Sequence, residues 1–137
     1  QFKYGASYEK IDYGTTIALL KAAKTSGCQR FVLLSSVGAA EQGVEYLKWK
    51  WRTEKAVQDS GIPYAIVRPS FIAGPGRAMN KFLDLPLAAV GVIARQIAQR
   101  YRSIHRDQLA RALIEAAVRP DAAGRIFEGE SLWALLS

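Results

Sequence analysis

The chain has 137 residues, half of them apolar and 23% charged, with nineteen Lys and Arg against twelve Asp and Glu for a net charge of +7. That length carries one domain with a real core and not two, and the balance is that of a globular domain rather than a repeat array or a disordered tail. The positive charge suits anionic partners, either a phosphate-bearing cofactor or a nucleic acid, and does not choose between them; a merely basic surface satisfies it equally well.

A single cysteine, Cys28, excludes an intrachain disulfide and reads as a small packed hydrophobe, so an intracellular, cytoplasmic setting is expected. The opening residues QFKYGASYEK have no apolar segment of the kind a secretory leader needs. The longest apolar stretch, Phe82 to Ala94, is interrupted by Asp84 and Pro86. It falls short of the roughly twenty apolar residues of a membrane span, so no membrane partner is expected.

Residues 1–12 show neither helical nor strand period, and Gly5 and Ser7 suggest a loop. Asp12 stands where an N-cap would, ahead of a helix from Tyr13 to Ser26 with Ile17, Leu20 and Ala23 on one face and Gly27 as its stop. Phe31 to Leu34 is a short apolar run without alternation, the pattern of a parallel strand buried on both faces. It ends in Ser35, Ser36, Val37 and Gly38; because strand neighbours point to opposite faces, only one of the two serines can face a given cleft.

A loop around Gly43 leads to a helix from Tyr46 to Ser60, stopped by Gly61 and Pro63. Tyr64 to Arg68 reads as a second buried strand, broken by Pro69, and Gly74-Pro75-Gly76 as turn. Met79 to Gln99 is predicted mostly helical, bent or divided at Pro86 and Gly91. Ser103 to His105 is extended or a short strand. A helix follows from Asp107 to Arg119 with Leu109, Ala112, Leu113 and Ala116 on one face; then a turn, a short strand from Arg125 to Glu128 and a closing helix from Glu130 to Leu136. The alternation predicts an α/β domain with a parallel sheet of three or four strands and flanking helices.

Tyr46 and Lys50 lie one turn apart on the same helix face. An ammonium beside a phenol favours the phenolate, and a phenol so tuned can exchange a proton near neutral pH. Ser36, at the end of the neighbouring strand, could hydrogen-bond the same substrate oxygen. A bare Tyr-x-x-x-Lys pattern is weak, and an ordinary surface Tyr and Lys explain it as readily. Its position ten residues after a strand-ending Ser-Ser makes it more specific.

Five stretches in order carry a family resemblance: Asp12-Tyr13 with the helix reaching Ala22-Ala23; Gly27 to Ala39 with its strand and serines; Tyr46 to Glu54; Ser60 to Ser70 with Arg68-Pro69; and Ser103 to Ala110. In these the chain resembles the C-terminal part of an atypical short-chain dehydrogenase/reductase of the NmrA-like NAD(P)-binding Rossmann group. The resemblance implies a cofactor, NAD(P), and roles. Tyr46 would be the general acid/base, and Lys50 would lower its pKa and hold the cofactor ribose. Ser36 would orient the substrate carbonyl, and Pro69, Ser70, Phe71 and Ile72 would lie along the nicotinamide. Many atypical members lack part of this set and sense nucleotide instead. The Ser36-to-Tyr46 gap is shorter than in the classical enzymes.

The family opens on a strand and a Gly-x-x-Gly-x-x-Gly turn whose following helix binds pyrophosphate. No such turn occurs in these 137 residues. The chain therefore reads, over 1–137, as a single truncated Rossmann-like domain, the second half of the fold, with impaired cofactor binding in isolation. An edge and helix faces that the missing strands would cover are left to pair with something, so a homodimer or higher oligomer is expected.

The remaining features have plain readings. Arg95, Arg100, Arg102, Arg106 and Arg111 near His105 suit a solvated helix face better than a nucleic-acid patch, and no metal site is proposed around the lone histidine. Of Trp49 and Trp51, one is expected in the core and one along a pocket. Three functions stand: an NAD(P)-dependent oxidoreductase or nucleotide sensor, a non-catalytic oligomerising α/β module, and a basic nucleic-acid-associated protein.

Overall fold

A computed structural model of the chain describes residues 8–70, 72–73 and 102–137. Phe71 and the helix expected between Met79 and Gln99 lie outside the described residues.

The element order is a π-helical segment Tyr8–Gly14, α1 (Thr15–Thr25), β1 (Phe31–Leu34), α2 (Glu45–Asp59), β2 (Tyr64–Val67), β3 (Ile72–Ala73), β4 (Ile104–His105), α3 (Arg106–Val118), a 3₁₀ turn Pro120–Ala122, β5 (Arg125–Phe127) and α4 (Glu130–Ala134). Three strands form one parallel sheet in the order β1-β2-β5, and β3 and β4 form a parallel pair of their own. Phe31 faces Tyr64 across the first pair and Leu34 faces Val67; Ala65 faces Arg125 across the second and Val67 faces Phe127. The fold is thus α/β, with helices on both sides of a three-strand parallel sheet.

The central strand shows why. In β2, Ala65, Ile66 and Val67 are all fully buried, and alternate side chains enter different cores. Ala65 and Val67 join Leu109, Ala112, Ala116, Phe127, Leu132 and Leu135 under α3 and α4. Ile66 joins Leu20, Leu33, Val57 and Ile62 under α1 and α2. A continuous apolar run is what a strand covered by helices on both faces requires.

The edge strand β1 departs from that expectation. Leu33 is buried, but Leu34 is 38% exposed. The N–H groups of Phe31 and Ser35 donate to Pro63 and Val67 carbonyls on the β2 side. Those of Val32 and Leu34 therefore face the other edge, and no described strand pairs there.

The amino-terminal stretch also differs. The backbone is helical from Tyr8, and Gly14 sits at the N-cap position of α1 with helical angles, so Asp12 caps nothing; instead its carbonyl accepts from the Thr16 hydroxyl at 2.8 Å. Tertiary packing overrides local signals here: the Tyr8 ring meets Tyr46 and the Tyr13 ring meets Trp49, both on α2. At the far end of α1, Gly27 takes φ +70° and the Cys28 N–H closes onto the Ala23 carbonyl, the left-handed stop the sequence reading expected.

Helix α3 is held at both ends. The His105 side chain accepts from the Asp107 N–H and Gln108 Oε1 accepts from the His105 N–H, a reciprocal capping box. Arg30 Nη1 donates to the carbonyls of Ala116 and Arg119 at 3.0 and 3.2 Å, where the helix dipole favours a cation.

Candidate functional site

Open α/β sheets bind ligands beyond the carboxyl ends of their strands. Ser35 and Ser36 follow β1 there, and Arg68, Pro69 and Ser70 follow β2. The two serines diverge, as strand alternation demands. Ser35 is 4% exposed and its hydroxyl donates to Glu54 Oε1. Ser36 is half-buried, and its hydroxyl donates to the Val37 carbonyl at 3.3 Å. Gly38 turns the chain with φ +87°, and a Cβ there would come within 3.3 Å of Leu47 Cδ1. This close approach brings the serine loop against the first turns of α2.

Tyr46 and Lys50 meet on α2. The Lys50 ammonium lies over the Tyr46 ring, 5.5 Å from its centroid, a cation–π arrangement. On another side the Tyr8 ring contacts Tyr46 edge-on at 5.4 Å. Tyr46 as a residue is 38% exposed, with its ring flanked by Tyr8 and Lys50.

Along β2's exit, Pro69 is buried and the Ser70 hydroxyl donates to the Arg102 carbonyl at 2.9 Å. Ile72, in β3, pairs with Ile104. The expected nicotinamide stretch is thereby laced to the segment preceding α3. Trp49 and Trp51 are both half-buried, so neither is the core residue expected. Trp49 is instead covered by Tyr13 and by the Arg52 guanidinium at 4.6 Å, and its indole N–H donates to Glu45 at 2.8 Å. Of the arginines near His105, Arg102 is spent on the Trp133 ring at 4.0 Å and Arg106 pairs with Asp107 at 3.9 Å.

Beneath these side chains lies a group that sequence reasoning did not assign. Glu54 is 2% exposed. Arg68 grips it through Nε at 2.8 Å and Nη2 at 2.5 Å, and reaches Glu128 at 3.5 Å. Hydrogen bonding to Glu54, more than the charges around it, holds the Arg68 guanidinium above its ordinary pKa, with burial acting the other way. The signal was visible as an acidic residue four positions after Lys50 and an arginine ending β2, but nothing local joined them.

A match to the NAD(P)H-binding family spans residues 3–120. The chain belongs to that family. As a member of the NAD(P)H-binding family, it is 33% identical over 116 residues to Protein FMP52, mitochondrial, of Meyerozyma guilliermondii, covering 81% of this chain and 50% of that protein. It is 34% identical over 88 residues to Protein TIC 62, chloroplastic, of Oryza sativa subsp. japonica, covering 58% of this chain and 18% of that one. Among solved structures, a putative NAD-dependent epimerase/dehydratase from Bacillus halodurans superposes with a TM-score of 0.65 at 23% identity, over 89% of this chain and 55% of that one. A short-chain dehydrogenase/reductase superfamily protein from Agrobacterium tumefaciens with bound NAD gives 0.57 at 17%, over 89% and 54%. These two show the Rossmann-like fold. The chain spans half the length of the mitochondrial relative and a smaller share of the chloroplast one. Among the described residues, no helix is long and apolar enough to cross a membrane.

Side chains with chemistry suited to the nicotinamide half of a dinucleotide are present: a phenol, which can exchange a proton, and an ammonium, which donates hydrogen bonds, stand together on α2. For the pyrophosphate half, these residues offer no glycine-rich turn.

Proposed function

We propose that residues 1–137 form the second half of a short-chain dehydrogenase/reductase-type domain, the proton-handling half of an NAD(P)-dependent oxidoreductase or nucleotide sensor. The observation that carries this reading is the Tyr46–Lys50 pair on α2, with Ser36 at the end of β1, in a chain of the NAD(P)H-binding family. A reduced nicotinamide, when bound, would supply hydride to the carbonyl carbon. The Tyr46 hydroxyl would give the proton to the carbonyl oxygen, so that the carbonyl would become an alcohol. Lys50 keeps that phenol supplied with positive field and bonds ribose hydroxyls. Ser36 bonds the substrate oxygen. Pro69, Ser70 and Ile72, on the stretch leaving β2, would line the nicotinamide. The isolated chain binds dinucleotide weakly, because the pyrophosphate is left without its cradle.

Titration with NADPH and NADH, followed by tryptophan fluorescence, tests the reading. Saturable binding that Tyr46→Phe and Lys50→Ala weaken supports it. A flat response at millimolar cofactor rejects it for the isolated chain. A cytoplasmic location belongs to the same proposal and is checked by fractionation, since the two relatives carry mitochondrial and chloroplastic names.

A second reading, a non-catalytic module that associates through β1, is favoured by one observation: the outward N–H groups of Val32 and Leu34 beside the exposed Leu34 side chain. Unpaired strand edges template association. Light scattering across a concentration series is expected to show a dimer or larger species; a monomer throughout rejects this reading.

A further inference from the structure

Glu54 stands two turns beyond Tyr46 and one beyond Lys50 on α2, so the three share one broad helix face. Its carboxylate is the sole buried one among the described residues. Ser35 and Arg68 Nε meet Oε1, and Arg68 Nη2 meets Oε2. The backbone N–H of Arg68 donates to the Phe127 carbonyl at 2.8 Å, and its Nη1 reaches Glu128. One side chain therefore ties α2 to the carboxyl ends of β1 and β2 and, through Arg68, to that of β5.

Burying such a pair is a poor way to gain stability, since apolar side chains of similar size often serve as well or better. What directional bonds add is placement. Three hydrogen bonds to one carboxylate fix both the rotation of α2 about its axis and its height above the sheet. The same carboxylate takes Ser35 inward, which sends Ser36 to the opposite side of the strand end. We propose that Glu54 is the positioning residue of the site: through Arg68 and Ser35 it sets where Tyr46, Lys50 and Ser36 stand relative to one another. This rests on the reading of those three as the functional group, and it assigns Glu54 no contact with substrate or cofactor.

The test pairs Glu54→Met/Arg68→Met, which replaces the whole ion pair by apolar side chains, with Val57→Ala. Val57 is fully buried on the same helix and packs with the apolar cluster of Leu20, Leu33, Ile62 and Ile66, carrying no polar group of the network. Two quantities are read on the full chain. The first needs no cofactor: the nuclear Overhauser contact between the Gly38 α-protons and the Leu47 methyls, which reports how α2 sits against the serine loop. The second is the NADPH dissociation constant. The double variant is expected to keep its thermal midpoint, to lose the Gly38–Leu47 contact and to bind NADPH about tenfold more weakly, in line with the cost of small misplacements. Val57→Ala is expected to lower the midpoint and leave both readouts in place. Should the double variant fail to fold, Glu54→Gln, which keeps the shape and drops the charge, is read by the same criteria.

A folded double variant, or Glu54→Gln, with the contact unchanged overturns the positioning role, as does loss of the contact in Val57→Ala as well. If the unaltered chain ignores NADPH, the cofactor reading fails, while the Gly38–Leu47 contact still decides the role of Glu54.

Discussion

The two faces of the sheet are built differently from the same strands. Under α3 and α4, Ala65, Val67 and Phe127 meet Ala112 and Ala116, fully buried alanines that let the helix settle close to the sheet. That face is dry and apolar. Under α1 and α2, the apolar core is smaller, Leu20, Leu33, Val57, Ile62 and Ile66, and the buried carboxylate of Glu54 lies alongside on α2. Tyr46 and Lys50 stand on α2, on this second side, while Ser36 leaves the end of β1 away from Glu54. One face supplies cohesion, and the other trades some of it for polar groups held in fixed directions.

The largest effect should follow from breaking the dry face. Phe127→Ala is expected to cost about 3–5 kcal/mol, the range for emptying a buried aromatic site. Leu20→Ala, at the rim of the other core and 6% exposed, should cost about 2–3 kcal/mol because α1 can close over the gap. Urea denaturation of both variants checks the ranking, and equal losses would remove the asymmetry between the faces.

Next comes the ion pair. Arg68→Met leaves Glu54 buried with only Ser35 to satisfy it. A loss of about 3 kcal/mol is expected, at the lower end for a broken buried pair because Arg68 itself is partly exposed. Adding Glu54→Met should restore it. The guanidinium is held above its ordinary pKa, so its contribution is complete below that ordinary value and fades only as pH rises through the higher folded one. The cost of Arg68→Met should therefore be the same at pH 6 and pH 9. A cost that vanishes by pH 9 would mean the pair is not what holds this side together.

The comparison also separates what the residues announced from what they hid. Phe31–Leu34 and Tyr64–Val67 were legible because a short apolar run bounded by Gly, Pro or Ser has few other uses, and the sheet buries β2 as that pattern requires. The one-face pattern of α3 was legible for the same reason. Tyr8 to Asp12 was not, since its helical path depends on rings supplied by α2, far along the chain. Alternation predicted that Ser35 and Ser36 would part company, yet the partner that draws Ser35 inward is 19 residues away, and Arg68 is 14 from the same carboxylate. Pairings at that distance have no period to read.

A smaller effect is expected at the strand edge. Leu34→Lys puts a charge on an exposed position of β1 and should change stability by no more than about 0.5 kcal/mol. A flat apolar edge that gains a lysine loses its fitness for pairing. Light scattering should shift toward the monomer. An unchanged association state would place any interface elsewhere and leave the exposed end of β1 as mere surface.

The smallest effect lies outside both faces. Asp121, in the turn between α3 and β5, meets Arg119 through both oxygens at 3.1 Å, and Arg125 stands 3.9 Å away. Hydrogen bonds from Arg119 hold its pKa below the ordinary carboxylate value, partly offset by desolvation. A carboxylate whose folded pKa is depressed contributes stability above its unfolded pKa and loses it as pH falls through the folded one. Asp121→Asn should therefore leave the thermal midpoint nearly unchanged at neutral pH, because exposed pairs are worth little. It should flatten slightly the fall in midpoint below about pH 4. The turn joins α3 of the dry face to β5, so the variant also tests whether that face needs surface charge at all. A large drop at neutral pH would show that the apolar contacts of Phe127, Ala112 and Ala116 do not suffice to seat α3 on the sheet.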